Sequence, residues 1–209
     1  MENIIAPLTK ENAWDEFTQF PQLKDWDCGP AIYATIQAKF GIKIKDWDTN
    51  TQSWQKIVKK LKATEALGTP HFNFSPALTK DNIPHKEIDN CSIPYLTASL
   101  EHGHFFLVDY QSVVGAEVTD LNGDIITDYK HLRRSGNFAW GHYALIVGQT
   151  DDDFILLEPD ADKPLDGLPV GYRKIPKDIF ENRWFDSENH TPFSHWAIEF
   201  KSVESRNNY

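Results

Sequence analysis

The stretch that decides the fold is residues 27–41, DCGPAIYATIQAKFG. Its larger apolar residues recur at every fourth position: Ile32, Ile36 and Phe40. This spacing is typical of a helix, which Gly41 would end. Asp27 is the residue type that caps a helix, and Pro30 suits a first turn. The stretch therefore predicts a helix that begins close to Cys28.

The place of Cys28 at a predicted helix start has chemical consequences. A thiol attacks as its thiolate, and the unpaired NH groups at a helix N-terminus favour negative charge. Gly29 follows and is expected to leave room for a substrate backbone. The competing interpretation is a buried cysteine packed as a small apolar side chain. Position alone leaves both interpretations open.

Further elements follow along the chain. Helices are predicted over 51–62, from Ser92 to near Gly103, and over 177–185, and the segment 67–90 is predicted to be loop with short elements. The runs with strand-like composition are 104–108, 112–118, 124–127, 142–147, 154–157, 171–175 and 195–200. Helices first and closely spaced strands later indicate an α+β fold with a mostly antiparallel sheet, in a single domain over 1–209.

Composition excludes several classes of protein. The net charge of -10 and the pI near 5.2 argue against nucleic acid as a partner, which needs clustered Lys and Arg. Two cysteines are too few for a disulfide framework, so free thiols and a cytoplasmic location are expected. No run is apolar enough for a signal peptide or a membrane span, so no membrane partner is expected.

A histidine and two acids lie far from Cys28 in sequence. His142 opens a predicted strand, and Glu158 and Asp160 follow the next one, in LLEPD. A hairpin at 150–153 would bring the end of the second strand beside the start of the first. Either acid could then orient the imidazole, as in nucleophile, histidine and acid triads.

Together these motifs carry a family resemblance. Gln22 stands six positions before Cys28, the strand GHYALIVG begins at 141, and Glu158 precedes a proline. This order resembles the bacteriocin-processing (double-glycine leader) peptidases and their free-standing relatives, in the papain-like cysteine peptidase superfamily. The resemblance implies a papain-like fold, with N-terminal helices packed on a mostly antiparallel C-terminal sheet.

The resemblance also implies roles for the residues. Cys28 would be the nucleophile, His142 the general base and then acid, and Gln22 a donor to the oxyanion. The orienting acid falls on Glu158, where those peptidases usually carry Asp, so Asp160 remains a rival. Those peptidases are also commonly fused to a membrane transporter, of which this sequence shows neither spans nor a phosphate-binding loop.

The expected activity is hydrolysis of a peptide or amide through a thioester, with a peptide or protein as substrate and with no cofactor and no metal. The alternatives are a papain-like acyltransferase or deamidase, an inactive peptide-binding module, and a guanylyl-cyclase-like protein. The last is included because the motif DWDCG at 25–29 also resembles that family. Cys91 is the fallback nucleophile. A metal site at His102 and His104 and a calcium site at 151–153 are set aside, because each lacks further ligands.

Overall fold

The computed structural model describes residues 17–111, 141–161, 163–164, 167–188 and 191–201. Five helices lie in these ranges: α1 Cys28–Lys39, α2 Gln52–Leu61, α3 Phe74–Lys80, α4 Ile93–Glu101 and α5 Lys177–Arg183. A single 3₁₀ turn, His71–Asn73, leads into α3. The helices predicted over 27–41, 51–62 and 92–103 are confirmed as α1, α2 and α4.

Six strands form the main sheet, and every neighbouring pair is antiparallel. They are β1 Lys86–Ile88, β2 Phe105–Gln111, β3 Gly141–Gln149, β4 Asp153–Leu157, β5 Tyr172–Pro176 and β8 Ala197–Phe200, in the order β1-β8-β2-β3-β4-β5. Two further strands, β6 Phe185–Glu188 and β7 Thr191–Ser194, form a separate hairpin. The predicted α+β class with a mostly antiparallel sheet is confirmed.

Some predicted boundaries are wrong. The segment 177–185 is helical only as far as Arg183, and Phe185 already belongs to β6. β1 lies in the segment predicted as loop. The sequence did not indicate this strand because its three residues show no alternation of their own, and it forms only as an edge strand paired with β8. The predicted strands 112–118 and 124–127 lie outside the described residues.

Strand alternation divides the core between the two faces of the sheet. Odd-numbered residues of β3, such as Leu145, pack with α1, whereas even-numbered ones, such as Ile146, pack with α4 and α5. The first ten residues of α1 are all buried, so this helix is enclosed by the sheet on one side and by α2 and α3 on the other. Among the described residues, no helix combines the length and apolar character needed to cross a membrane.

Candidate active site

Cys28 is the first residue of α1 and is 8% exposed. Asp27 occupies the N-cap position of this helix, as predicted, but its side chain forms no capping hydrogen bond because its carboxylate is engaged elsewhere. Asp27 Oδ1 accepts hydrogen bonds from the NH groups of Leu23 and Lys24, at 2.9 and 3.0 Å. Its Oδ2 accepts one from Trp54 Nε1 at 2.7 Å. Asp27 thus folds the preceding turn and leaves the NH groups of the first turn of α1 to other acceptors.

The structural reason for a glycine at position 29 differs from the predicted one. The space that a Cβ at Gly29 would occupy is filled by the side chain of Thr69, so the glycine admits a neighbouring loop and not a substrate backbone. Tyr143, on β3 of the sheet, fixes this loop by donating a hydrogen bond to the Thr69 carbonyl at 2.7 Å. The packing places Thr69 directly beside the start of α1.

His142 is the second residue of β3 and is 7% exposed. β3 and β4 pair through the predicted hairpin, whose turn is closed by a hydrogen bond from the NH of Thr150 to the Asp153 carbonyl, at 2.8 Å. The antiparallel register brings the residues after β4 beside the start of β3. Glu158 consequently lies next to His142, as the sequence predicted.

The two acids differ in their distance from the imidazole. His142 Nε2 lies 2.7 Å from Glu158 Oε2, within hydrogen-bond distance, and 3.7 Å from Asp160 Oδ1. Glu158 is also the more buried, with its side chain 5% exposed compared with 21% for Asp160. Glu158 is therefore the acid that contacts the histidine directly.

Tyr110 accounts for the placement of the longer Glu side chain. It stands opposite His142 in the register of β2 and β3, and its hydroxyl donates a hydrogen bond to Glu158 Oε1. Both carboxylate oxygens of Glu158 are thus held, one by the tyrosine and one by the imidazole. Sequence reasoning missed Tyr110, although the alternation of β2 would have placed it on the His142 face of the sheet.

The electrostatics favour a charged imidazole. Burial acts to lower the pKa of His142, but the negative charge of Glu158 and hydrogen bonds to Cys28 and Glu158 raise it well above its ordinary value. Because Nε2 faces Glu158, Nδ1 is the ring nitrogen left to face Cys28. Burial and the charge of Glu158 raise the pKa of Asp160, although His142 acts to lower it.

Gln22 and Gln19 attach the N-terminal segment to the loop after β4. The Gln22 NH donates to the Pro159 carbonyl at 2.8 Å, and Gln19 Nε2 donates to the Glu158 carbonyl at 2.9 Å. The Gln22 side-chain Oε1 is buried without a hydrogen-bond partner among the described residues. The Gln19 amide fills the space beside Gly171, whose φ of 91° favours glycine. The sequence showed no signal for this contact of Gln19.

The other candidate residues lie in structural contacts. Burial raises the pKa of Cys91 to about 11, which keeps it a thiol at neutral pH. His102 Nδ1 forms a hydrogen bond with the Ala98 carbonyl, and His104 Nδ1 lies 2.7 Å from Glu199 Oε1. These contacts provide no second nucleophilic site.

His142, Glu158 and Asp160 offer ligand atoms within 4.8 Å of one another, which is close enough for a candidate metal site. A tetrahedral zinc ion about 2.0 Å from each ligand would hold those atoms about 3.3 Å apart. The 2.7 Å separation of His142 Nε2 from Glu158 Oε2 is that of a direct hydrogen bond. The separation of His142 from Glu158 thus fits a direct hydrogen bond between the two side chains better than a shared zinc ion.

Comparison with solved structures identifies the fold. The peptidase domain of Streptococcus ComA, a bi-functional ABC transporter involved in a quorum sensing pathway, aligns over 88% of this chain and 97% of its own, with 16% identity and a TM-score of 0.54. A putative C39-like peptidase from Bacillus anthracis aligns over 88% of this chain and 93% of its own, with 15% identity and a TM-score of 0.52. Neither a family model nor a curated protein sequence matches the chain. The chain thus has the papain-like fold of C39 peptidase domains, as predicted.

Proposed function

We propose that the chain is a cysteine peptidase or related amide hydrolase, with Cys28 as nucleophile. The observation that carries this proposal is the hydrogen bond between Glu158 and His142 close to Cys28, which contributes to the raised pKa of His142 and is the first residue of a buried helix. A free cysteine buried only for packing has no need of a histidine held by a buried carboxylate.

The geometry supports the following reaction. The Cys28 thiolate attacks the substrate carbonyl carbon and forms a C–S bond, while the protonated His142 gives its proton to the leaving amine as the C–N bond breaks. Water then attacks the thioester, His142 takes a proton from it, and the thiolate leaves. Glu158 fixes the ring orientation and stabilises the imidazolium through both stages.

The oxyanion of each tetrahedral intermediate needs donors close to Cys28. The backbone NH groups at the start of α1 are suited to this, since Asp27 bonds backwards along the chain and does not cover them. We assign the second donor to the Gln22 side chain. Its backbone is attached beside Glu158, because the Gln22 NH donates a hydrogen bond to the Pro159 carbonyl.

A peptide is the substrate class that this fold favours, and an isolated thiol assay tests the core of the proposal. The rate of Cys28 alkylation by iodoacetamide at mildly acidic pH is followed by intact mass in the native chain and in the His142→Ala variant, with Cys28→Ala as the site control. We expect fast labelling confined to Cys28 and strong slowing without the histidine. Labelling no faster than that of a free thiol would refute the hydrolase and leave a peptide-binding module.

A further inference from the structure

The proposed side-chain donor to the oxyanion, Gln22, lies in an irregular segment that belongs to no helix or strand. Two hydrogen bonds fix the peptide group that joins Gln22 to Pro21. Trp47 Nε1 donates to the Pro21 carbonyl at 2.7 Å, and the Gln22 NH donates to the Pro159 carbonyl at 2.8 Å. Because a side chain extends from its backbone, these contacts help to set where the Gln22 amide lies.

Asp27 fixes the peptide group on the other side of Gln22. Its Oδ1 accepts hydrogen bonds from the NH groups of residues 23 and 24, at 2.9 and 3.0 Å, and its Oδ2 accepts one from Trp54 Nε1 at 2.7 Å. Asp27 is fully buried and directly precedes Cys28. A single carboxylate thus joins the start of the nucleophile's helix to the peptide group that follows Gln22.

Trp54 accounts for an acid at position 27. Carboxylate oxygens only accept hydrogen bonds, and both oxygens of Asp27 face NH donors. The indole NH belongs to α2, so α2 directs the carboxylate from outside the turn. A buried acceptor that loses its donor is costly, and we therefore expect the carboxylate to reorient when the indole NH is removed.

Small displacements of an oxyanion donor have large effects on rate. Such a donor acts only when it lies about 2.7–3.1 Å from the developing oxyanion. A displacement of about 1 Å in a group that positions a reaction can cost about a hundredfold in rate. The contacts that hold the backbone of Gln22 are therefore expected to contribute to the chemistry as well as to folding.

We propose that Asp27, held by Trp54, is a positioning residue that places the Gln22 side chain at the oxyanion. This rests on the proposed function, which assigns Gln22 as an oxyanion donor and Cys28 as the nucleophile.

Two reactions of Cys28 separate the position of the donor from the reactivity of the thiol. With p-nitrophenyl acetate, the thiolate attacks the ester carbonyl, a C–S bond forms through a tetrahedral oxyanion, and p-nitrophenolate leaves as the C–O bond breaks. With iodoacetamide, the thiolate displaces iodide from a CH₂ group and no oxyanion forms. The acylation rate is the nitrophenolate burst corrected with Cys28→Ala, and the alkylation rate is read from the peptide that contains Cys28. The ratio of the two rates reports oxyanion stabilisation.

Trp54→Phe removes the indole NH, keeps an aromatic ring and leaves the charge of Asp27 in place. We expect it to lower the acylation-to-alkylation ratio about three- to tenfold, a part of the loss that follows from removing an oxyanion donor outright. Trp196→Phe is the matched control, because Trp196 Nε1 donates to another carboxylate oxygen, Glu87 Oε1, at 2.9 Å. It should leave the ratio unchanged, and equal effects of the two variants would overturn the inference.

A double-mutant cycle with Gln22→Ala tests whether the effect passes through Gln22. Gln22→Ala should lower the ratio at least as much as Trp54→Phe does. Adding Trp54→Phe to Gln22→Ala should then cause no further loss, because a positioning residue acts through the group that it positions. A further loss of the full size would overturn the inference.

Asp27→Asn tests the same contact from its other partner, since its NH₂ group would face one of the NH donors, and it decides the question if Trp54→Phe does not fold. If Gln22→Ala leaves the ratio unchanged, the oxyanion assignment in the proposed function is wrong and the inference falls with it. If Gln22→Ala lowers the ratio but Trp54→Phe and Asp27→Asn do not, only the inference is wrong. The hydrolase is judged separately, by the slowing of alkylation in His142→Ala.

Discussion

Replacing Glu158 by Gln keeps the shape of the side chain and removes its charge. The Gln oxygen can still accept from His142 Nε2, at the position where the carboxylate oxygen lies 2.7 Å away. The substitution replaces a charged hydrogen bond by a neutral one and so loses the difference in their free energies. Both side chains are buried, with 8% of His142 and 5% of Glu158 exposed. For buried partners this difference is about 1.5–3 kcal/mol in favour of the charged imidazole.

The direction of the effect follows from the pKa of His142. Glu158 raises that pKa, so Glu158→Gln lowers it and shifts the balance from thiolate and imidazolium towards thiol and neutral imidazole. We expect Cys28 alkylation by iodoacetamide at mildly acidic pH to slow about ten- to a hundredfold. The basic limb of the pH profile should also move to lower pH.

Asp160→Asn is the matched comparison for this test. Asp160 lies 3.7 Å from the same nitrogen and its side chain is 21% exposed, so its removal should slow alkylation less than about fivefold. The reasoning is wrong if Asp160→Asn slows alkylation more than Glu158→Gln does. Asp160 would then be the acid that orients the imidazole.

Three further substitutions test the surroundings of the site. Tyr110→Phe leaves a buried carboxylate oxygen without its donor, so urea unfolding should show a loss of about 1–3 kcal/mol; no loss would show that the bond is not formed. Because burial on β2 raises the pKa of Asp109 on folding, native stability falls as pH rises above the ordinary Asp range, and Asp109→Asn should raise the melting temperature more at pH 8 than at pH 4. An equal change at both pH values would contradict the raised pKa. Gly171→Ala should slow Cys28 alkylation by displacing the Gln19 amide. Gly167→Ala is the control, because φ is also positive there and nothing lies within 4 Å, and it should not slow alkylation. Equal effects of the two variants would assign the loss to backbone strain alone.

Local signals account for the parts of the site that the sequence predicted. The start of α1 at Cys28 follows from apolar spacing and a proline in the first turn, and the closeness of His142 and Glu158 follows from one short hairpin. Both are properties of neighbouring residues, which sequence patterns report well. The sequence placed Asp27 at the N-cap but did not indicate its hydrogen-bond partners, because Leu23 and Trp54 are set by the fold of the preceding turn and by α2.

The sequence by itself thus determined the fold class, the helix that carries the thiol, and the hairpin that joins the histidine to an acid. Only the tertiary structure decided which acid contacts the imidazole. Glu158 and Asp160 flank the same proline in the sequence, and the hydrogen bond from Tyr110 to Glu158 is what distinguishes them. It alone also brought Asp109 to Asp186, which are 77 positions apart. Contacts of this kind depend on strand order across the sheet, which no local pattern encodes.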